Sequence, residues 1–338
     1  MAETVSVLIA SYNCAHFLPQ CLESVSAQTR QPEEVIVVDD GSEDDTREVM
    51  RRFPGVHYIR SEHQGKAAAF NRAVSKSTGD ILCHLDADDY WMPQKLERVC
   101  KELADRPTLG GVIHETEYVN EDGSHIELGS KPQASRMPAV VTLDNSEERG
   151  FLYSVPGVKN LSAGNPNTTV TRRWALVDLF PLWPDMGLGV DGIFVYGAAR
   201  YGILYLPEFL SVYRHHGNNA WAGNPHRSQD LIKMWKFLLF KEDFRSHLSA
   251  RQIRLLEAKI LEMTAYHASL TGDNKIRGAI AGIRVPLALL RNGLLFNWRH
   301  LALPLMCFLP VKRAAWHAGK KRLAGESLGL RGLKKQTG

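Results

Sequence analysis

Four short apolar runs near the start of the chain constrain its fold more than any other sequence feature. Each contains Val or Ile and is too short for a helix; they cover residues 5–10, 35–38, 56–60 and 81–85. Segments with apolar residues at helical spacing, such as 16–28 and 65–76, separate the runs. Strands that alternate with amphipathic helices predict an α/β fold with a parallel sheet covered on both faces.

Polar side chains follow three of the four predicted strands. They are Tyr12 and Asn13 after the first, Asp39 and Asp40 after the second, and Asp86, Asp88 and Asp89 after the fourth. Ligands of parallel α/β sheets bind beyond the carboxyl ends of the strands, so we expect these residues to form one site. Asp86 and Asp88 point to the same side of an extended chain, which suits a hard divalent cation. For this pair alone, an acidic turn ahead of a helix is the alternative.

The middle of the chain is less regular. Runs at 110–119 and 124–128 flank Asp122-Gly123 and predict a hairpin. Residues 129–160 predict a long surface loop or an acceptor-side insertion. Further predicted elements are strands at 168–170, 204–206 and 210–213, and helices at 172–179, 190–200 and beyond residue 228.

Two local patterns concern the starts of helices. Ser42 with Asp45 resembles a capping box, which predicts a helix through about residue 52. Gly187, Gly189 and Gly192 have the spacing of a dinucleotide-binding loop, but no strand precedes them, so we reject that interpretation. Asp191 lies near the predicted helix start, where the helix dipole favours an acid even without a functional role.

Three segments together resemble inverting glycosyltransferases of family 2, which have the GT-A fold: Val5–Asn13, Val35–Ser42 and Leu85–Trp91. The resemblance covers about residues 4–220. It implies a mostly parallel sheet flanked by helices and a GT-A domain at 1–225, with a donor half at about 4–120 and an acceptor half at about 121–225. The tail after Ser228 lies outside the resemblance, and helical patterns there predict a C-terminal helical region with a basic tail at 226–338.

The resemblance also implies a role for each matching residue. Asp191 corresponds to the general base, although Val190 replaces the first member of the family's usual acidic pair. Asp88 and His216 are implied as ligands of Mg²⁺ or Mn²⁺, with Asp89 in support. The residues implied in nucleotide-sugar binding are Ala10, Tyr12, Asp40, Lys66, Asn71, Asp86 and Ala87.

The implied reaction moves a sugar from a nucleoside-diphosphate sugar to a hydroxyl acceptor, in the synthesis of a cell-surface glycan or polysaccharide. UDP is the family's commonest nucleotide, and the acceptor would be a glycan or a lipid-linked glycan. One alternative is a nucleotidyltransferase, which would usually show a glycine-rich basic loop where this chain has residues 11–14. Another is a nucleotide-sugar-binding protein without turnover, against which Asp88 and Asp191 argue. Nucleic-acid binding is not expected, because the net charge is only +4 and the basic cluster is confined to the end.

The last part of the chain leaves two interpretations open. Residues 285–310 are apolar but interrupted by Arg291, Arg299 and His300, so a membrane-spanning helix is not expected. An interfacial helix, attracted to anionic lipid by the basic residues after Lys312, is one interpretation. Packing on the catalytic domain or on a second subunit is the other. The five cysteines show no metal-binding spacing and no signal peptide is visible, which predicts a cytoplasmic protein, peripheral on the inner face of the membrane under the first interpretation.

Overall fold

The computed structural model describes the following parts of the 338-residue chain: residues 2–126, 139–141, 166–217, 219, 227–271 and 280–284. Two compact units divide the chain, Met1–Glu257 and Ala258–Gly338. Most of the expected loop at 129–160 and all of the apolar and basic segment from 285 onward lie outside the described residues. The proposed division of the chain at residue 225 stays a prediction.

The first unit contains one sheet of nine strands among the described residues. In chain order they are β1 Val5–Ser11, β2 Glu34–Asp39, β3 His57–Arg60, β4 Ile81–Asp86, β5 Tyr90–Trp91, β6 Gly111–Asn120, β7 Ala139–Val141, β8 Thr169–Arg172 and β9 Ile203–His215. Their order in the sheet is β3-β2-β1-β4-β8-β6-β9-β5, and β7 pairs with β9.

The described helices are α1 Leu18–Ser26, α2 Thr46–Met50, α3 Lys66–Lys76, α4 Lys95–Ala104, α5 Val190–Ala199, α6 Arg227–Phe240, α7 Glu242–Ser246 and α8 Ala250–Thr271. Short 3₁₀ turns at Pro166–Thr168, Arg173–Ala175, Val177–Leu179 and Pro184–Gly189 link the elements of the second half. No helix within the described part of the chain is long and apolar enough to cross a membrane.

The four strands predicted first are confirmed as neighbours in a parallel half-sheet. β1 pairs in parallel with both β2 and β4, and β2 pairs in parallel with β3. The register places Ala10 beside both Val38 and Asp86, and Ser11 beside Asp39. The polar residues that follow these strands therefore start from the same edge of the sheet.

The core of this half explains why its strands are short, continuous apolar runs. Val7, Ile9 and Leu85 are fully buried in the centre of the sheet. On one face they pack with Leu18 and Leu22 of α1. Burying each such side chain contributes about 1.5–3 kcal/mol, so the sheet is a rigid platform for the loops at its edge.

The second half of the sheet is mixed, so the sheet as a whole is mostly parallel, as the resemblance to the GT-A fold implies. β8 runs antiparallel to both β4 and β6, whereas β6 and β9 are parallel. The two strands predicted at 204–206 and 210–213 are one strand, β9. Its pairing with β6 shifts register between Leu206 and Phe209, so Pro207 lies at a bulge, where the missing N–H of proline is tolerated.

Three local predictions need correction. The helix expected at 172–179 is two 3₁₀ turns. The hairpin turn at Gly123 is present, with φ of 83°, but in the described residues the second strand is a single bridge between Val119 and His125. The capping box is wrong: the hydroxyl of Ser42 accepts a hydrogen bond from the N–H of Asn13 instead of capping α2.

The glycines of the rejected dinucleotide motif have a packing role. They lie in the 3₁₀ turn before α5 and in its first turn. A Cβ at Gly192 would lie 2.2 Å from the Sδ of Met234, and one at Gly189 would lie 2.9 Å from the Cβ of the same methionine. The glycines therefore allow α6 to approach α5 closely, which explains the motif without a nucleotide.

Candidate active site

The site lies where the carboxyl ends of β1, β2 and β4 meet. Ala10 is half-buried near the end of β1, and Ala87 is buried directly after β4. Three further side chains come from outside these strands: Lys66 begins α3, Asp191 lies in the first turn of α5, and His216 follows β9. The fold thus brings residues that are up to 206 positions apart in the chain to one edge of the sheet.

An acidic cluster follows β4. Asp86, Asp88 and Asp89 each offer a carboxylate oxygen, and these oxygens all lie within 4.8 Å of one another. The Nε2 of His216 lies 3.0 Å from Oδ2 of Asp88. Carboxylate oxygens are the ligands that Mg²⁺ and Mn²⁺ prefer, so the residues present fit a divalent cation.

Asp89 differs from the other two acids because it is buried and its oxygens are already occupied. Its Oδ1 accepts a hydrogen bond of 2.8 Å from the backbone N–H of Arg214, and its Oδ2 accepts one from the amide of Asn167. Burial raises the pKa of Asp89 well above its usual range, and the nearby Asp88 and Asp86 add to the rise. These contacts suit a residue that holds the acidic cluster in position and does not itself bind the cation.

The ammonium group of Lys66 connects an acid at the strand exit with an acid from the second half of the fold. Its Nζ lies 2.9 Å from Oδ1 of Asp86 and 2.8 Å from Oδ1 of Asp191. Burial acts to lower the pKa of Lys66, but the two carboxylates outweigh burial and raise that pKa above its usual range. Lys66 is therefore a fixed positive charge between the two acids.

The two acids respond differently to this cation. For Asp86, burial acts to raise the pKa, but Lys66 and the ring of His84 outweigh it and hold that pKa well below its usual range. Asp191 is only 4% exposed, and burial raises its pKa to about 7 against the opposing effect of Lys66. Asp191 can therefore take up or release a proton near neutral pH, as a general base must.

A second group of contacts surrounds Asp40, after β2. Its carboxylate accepts hydrogen bonds of 2.9 Å and 2.7 Å from the backbone N–H groups of Gln64 and Gly65. The Nδ1 of His63 lies 2.9 Å from Oδ2 of Asp40, and its ring stacks on Tyr12 with the ring centroids 4.2 Å apart. Tyr12, which is 44% exposed, and Asp40 thus lie together as the sequence predicted, but His63 was not expected between them.

Asn71 is a predicted nucleotide-sugar-binding residue whose side-chain hydrogen bonds go to the backbone of Leu182. Its side-chain amide donates a hydrogen bond of 2.9 Å to the carbonyl of Leu182 and accepts one of 2.7 Å from the N–H of the same residue. These two bonds hold the segment before the 3₁₀ turn of Pro184–Gly189 against α3. The predicted role of Asn71 in nucleotide-sugar binding stays a prediction.

Reasoning from the sequence missed His63, Asn167 and Asn219. Asn219 holds the segment that carries His216: its Oδ1 accepts a hydrogen bond of 2.6 Å from the N–H of His216, and its Nδ2 donates one of 3.0 Å to the carbonyl of Arg214. The adjacent asparagines that follow Gly217 were a visible signal for this turn. No local pattern marks His63 or Asn167, because their partners are distant in the chain.

The sequence matches a known family over almost half of its length. Residues 6–156 match the family model described as Glycosyl transferase family 2. An uncharacterized glycosyltransferase of Nostoc sp. is 33% identical over 224 residues, which span 64% of this chain and 66% of that protein. The alignment therefore covers slightly less than two thirds of the relative.

Two solved structures show the same fold. The Staphylococcus aureus TarS fragment 1–349, solved in complex with UDP, has a TM-score of 0.58 at 14% identity, over 96% of this chain and 92% of that one. The mannosyltransferase PcManGT of Pyrobaculum calidifontis, in complex with GDP-Man and Mn²⁺, has a TM-score of 0.54 at 21% identity, over 97% and 89%. The resemblance to family 2 glycosyltransferases is confirmed: residues 6–156 of this chain carry a glycosyltransferase family 2 domain, and the sheet has the GT-A fold.

Proposed function

We propose that the chain is an inverting glycosyltransferase that moves a sugar from a nucleoside-diphosphate sugar to a hydroxyl acceptor. The observation that supports this most is the site in which Lys66 connects Asp86 with Asp191. It contains a cluster of acids suited to a cation, which could in turn bind a diphosphate, and a separate buried carboxylate whose pKa is raised to about 7.

Asp88 and His216 would hold a divalent cation, Mg²⁺ or Mn²⁺. Their side chains already lie 3.0 Å apart, and Asp86 contributes a further oxygen to the cluster. When bound, such a cation supplies Lewis-acid stabilisation of the negative charge on the departing nucleoside diphosphate. The Mn²⁺ named with the mannosyltransferase of the same fold supports this assignment.

The nucleotide would lie along the exits of β1 and β2. Tyr12 offers an aromatic face and Asp40 a hydrogen-bond acceptor to the base, while Ala10, Asp86 and Ala87 line the ribose side. Lys66 adds a positive charge close to the diphosphate. We assign the donor as a UDP-sugar because UDP is the family's commonest nucleotide. The TarS fragment is named in complexes with UDP and with UDP-GlcNAc, whereas the mannosyltransferase is named with GDP-Man, so GDP-sugars are the alternative donors.

Asp191 would act as the general base. Its carboxylate takes the proton of the acceptor hydroxyl while that oxygen bonds to the anomeric carbon, and the sugar–phosphate bond breaks with its electron pair leaving on the nucleoside diphosphate. One displacement on the face opposite the leaving group inverts the anomeric centre, so no second carboxylate is needed as a nucleophile. A positioned base typically contributes about 10²–10⁴-fold to the rate.

The acceptor would be a glycan or a lipid-linked glycan, in keeping with synthesis of a cell-surface glycan or polysaccharide. A peripheral position on the inner face of the membrane, through the segment after residue 285, would bring the site to a lipid-linked acceptor. This part of the proposal rests on the apolar and basic composition of that segment alone.

The experiment is a screen of UDP-, GDP- and dTDP-sugars for release of the nucleoside diphosphate, with Mn²⁺, Mg²⁺ or EDTA. We expect release from one donor that depends on the cation, is lost in Asp88→Asn and is retained in the surface control Asp122→Asn. NMR of the product should show inversion at the anomeric carbon. Binding of donors without release would favour the non-catalytic protein, and release of pyrophosphate from a nucleoside triphosphate would favour a nucleotidyltransferase.

A further inference from the structure

Asn167, in the turn just before β8, is buried and connects several parts of the site. Its Oδ1 accepts a hydrogen bond of 2.8 Å from the backbone N–H of Asp86, and its Nδ2 donates one to Oδ2 of Asp89. Its carbonyl oxygen accepts a hydrogen bond from the Nζ of Lys95. That lysine is fully buried, with its Nζ 4.0 Å from the centre of the Trp91 ring.

Asp89 also forms a hydrogen bond with the backbone near the end of β9. Its other oxygen, Oδ1, accepts a hydrogen bond of 2.8 Å from the N–H of Arg214. Arg214 lies two residues before His216, whose Nε2 is 3.0 Å from Oδ2 of Asp88. The pair formed by Asn167 and Asp89 therefore binds the backbone two residues before each side chain of the proposed cation site, Asp88 and His216.

We propose that Asn167 is a positioning residue that fixes the spacing between Asp88 and His216 and thereby sets the affinity for the divalent cation. The inference rests on the proposed function of that site. Asn167 acts through Asp86 and Asp89 and does not itself touch the cation. Partners of this kind, one layer behind the ligands, typically change metal affinity by about 10–100-fold when they are mutated.

The first variant is Asn167→Asp. It keeps the shape of the side chain and an acceptor for the N–H of Asp86, but it replaces the donor to Asp89 with a second carboxylate. We expect the affinity for Mn²⁺ to fall by about 10-fold or more. Free Mn²⁺ is measured by EPR during titration of the full chain, with Mn²⁺ alone and then with UDP present. Asn120→Asp, at the exposed end of β6, is the matched control.

The second variant combines Asn167→Asp with Asp89→Asn, which exchanges donor and acceptor at unchanged net charge. The new amide at position 89 can donate to the new carboxylate at position 167, and its oxygen can still accept from the N–H of Arg214. The other oxygen at position 167 can still accept from the N–H of Asp86. We expect the double variant to recover most of the lost Mn²⁺ affinity, although each single change lowers it.

Thermal unfolding of each variant separates positioning from stability alone. A lower melting temperature for Asn167→Asp with unchanged Mn²⁺ affinity would overturn the inference, and so would a double variant that binds no better than the single one. If Asn167→Asp does not fold, Asn167→Ala removes the side-chain amide without adding a charge and must show the same loss of affinity. A wild-type chain that binds no Mn²⁺ even with UDP would refute the proposed cation site itself, which is a different failure.

Discussion

Replacing Asp191 by Asn is expected to lower turnover by about 10²-fold or more and at the same time to stabilise the fold. The carboxylate is buried, and its pKa is raised from 3.8 to about 7 despite the contact with Lys66. The amide has nearly the same shape and no charge. Lys66 keeps its other partner, Asp86, at 2.9 Å, so the change leaves one cation paired with one anion where the wild type has one cation between two anions.

The sign of the pH dependence follows from the direction of the shift. Because folded Asp191 keeps a proton that the unfolded chain releases, wild-type stability falls as the pH rises from 3.8 to about 7. This lowers the free energy of unfolding of the wild type by about 4 kcal/mol at pH 8, where folded Asp191 is ionised, and by about 2 kcal/mol at pH 5, where it keeps its proton. The free energy of unfolding of Asp191→Asn should therefore exceed that of the wild type by a margin that grows by about 2 kcal/mol between these pH values.

Urea unfolding at pH 5, 6.5 and 8 measures this margin, with Asp185→Asn as a control at a largely exposed acid paired with Lys233. In parallel, kcat of Asp191→Asn should fall by about 10²-fold or more, while binding of the nucleoside diphosphate changes little. A variant that is less stable than the wild type at pH 8, or a margin that does not change with pH, would refute the electrostatic reasoning. Turnover within a few-fold of the wild type would assign the base elsewhere.

Three further predictions concern the contact of Lys66 with Asp86 and Asp191, the proposed divalent-cation site and the end of the chain. Lys66→Met should lower the free energy of unfolding at pH 8 by about 3 kcal/mol in urea titrations, because it removes the cation shared by the buried carboxylate of Asp191 and the partly buried carboxylate of Asp86. Lys76→Met at the exposed end of α3 should change little, and equal losses would contradict this. Mn²⁺ with UDP should raise the thermal midpoint of the wild type, by an amount equivalent to about 2.7 kcal/mol at a hundredfold excess over Kd, and EDTA or Asp88→Asn should remove the shift; a shift that survives both would place the ligands elsewhere. Deletion of residues 285–338 should abolish binding to anionic vesicles at low salt in a flotation assay, and a full-length chain that ignores such vesicles would favour a packing role for this segment.

The parallel half of the sheet could be predicted from the sequence because its strands are buried on both faces. Such strands appear as continuous apolar runs, as 35–38 does, and their polar exits must meet at one edge. That Asp86 and Asp88 follow a strand ending at the same edge of the sheet as those before Tyr12 and Asp40 followed from this rule alone. Local pattern and fold agree there, so the sequence was sufficient.

The remaining parts depend on partners that are distant in the chain. Ser42 does not cap α2, because its hydroxyl accepts a hydrogen bond from the N–H of Asn13. The carboxylate of Asp44 instead accepts hydrogen bonds from the N–H and the hydroxyl of Thr46, at the start of α2. Nothing near Asn167 indicates that its amide lies between Asp86 and Asp89, 81 and 78 residues away. The raised pKa of Asp191 likewise required its burial, which the helix-start pattern does not reveal.

The contacts of Asp40 make the two ends of the site difficult to engineer separately. The carboxylate that would read the base also holds the N–H of Gly65, whose φ of 91° starts α3, and the next residue is Lys66, which reaches Asp191. A substitution at Asp40 that changes nucleotide preference would therefore also displace the ammonium group of Lys66, which lies beside the proposed general base. Nucleotide preference and turnover number should co-vary among Asp40 variants, so the nucleotide subsite cannot be exchanged as a module, and directed evolution toward a new donor would need compensating changes in α3.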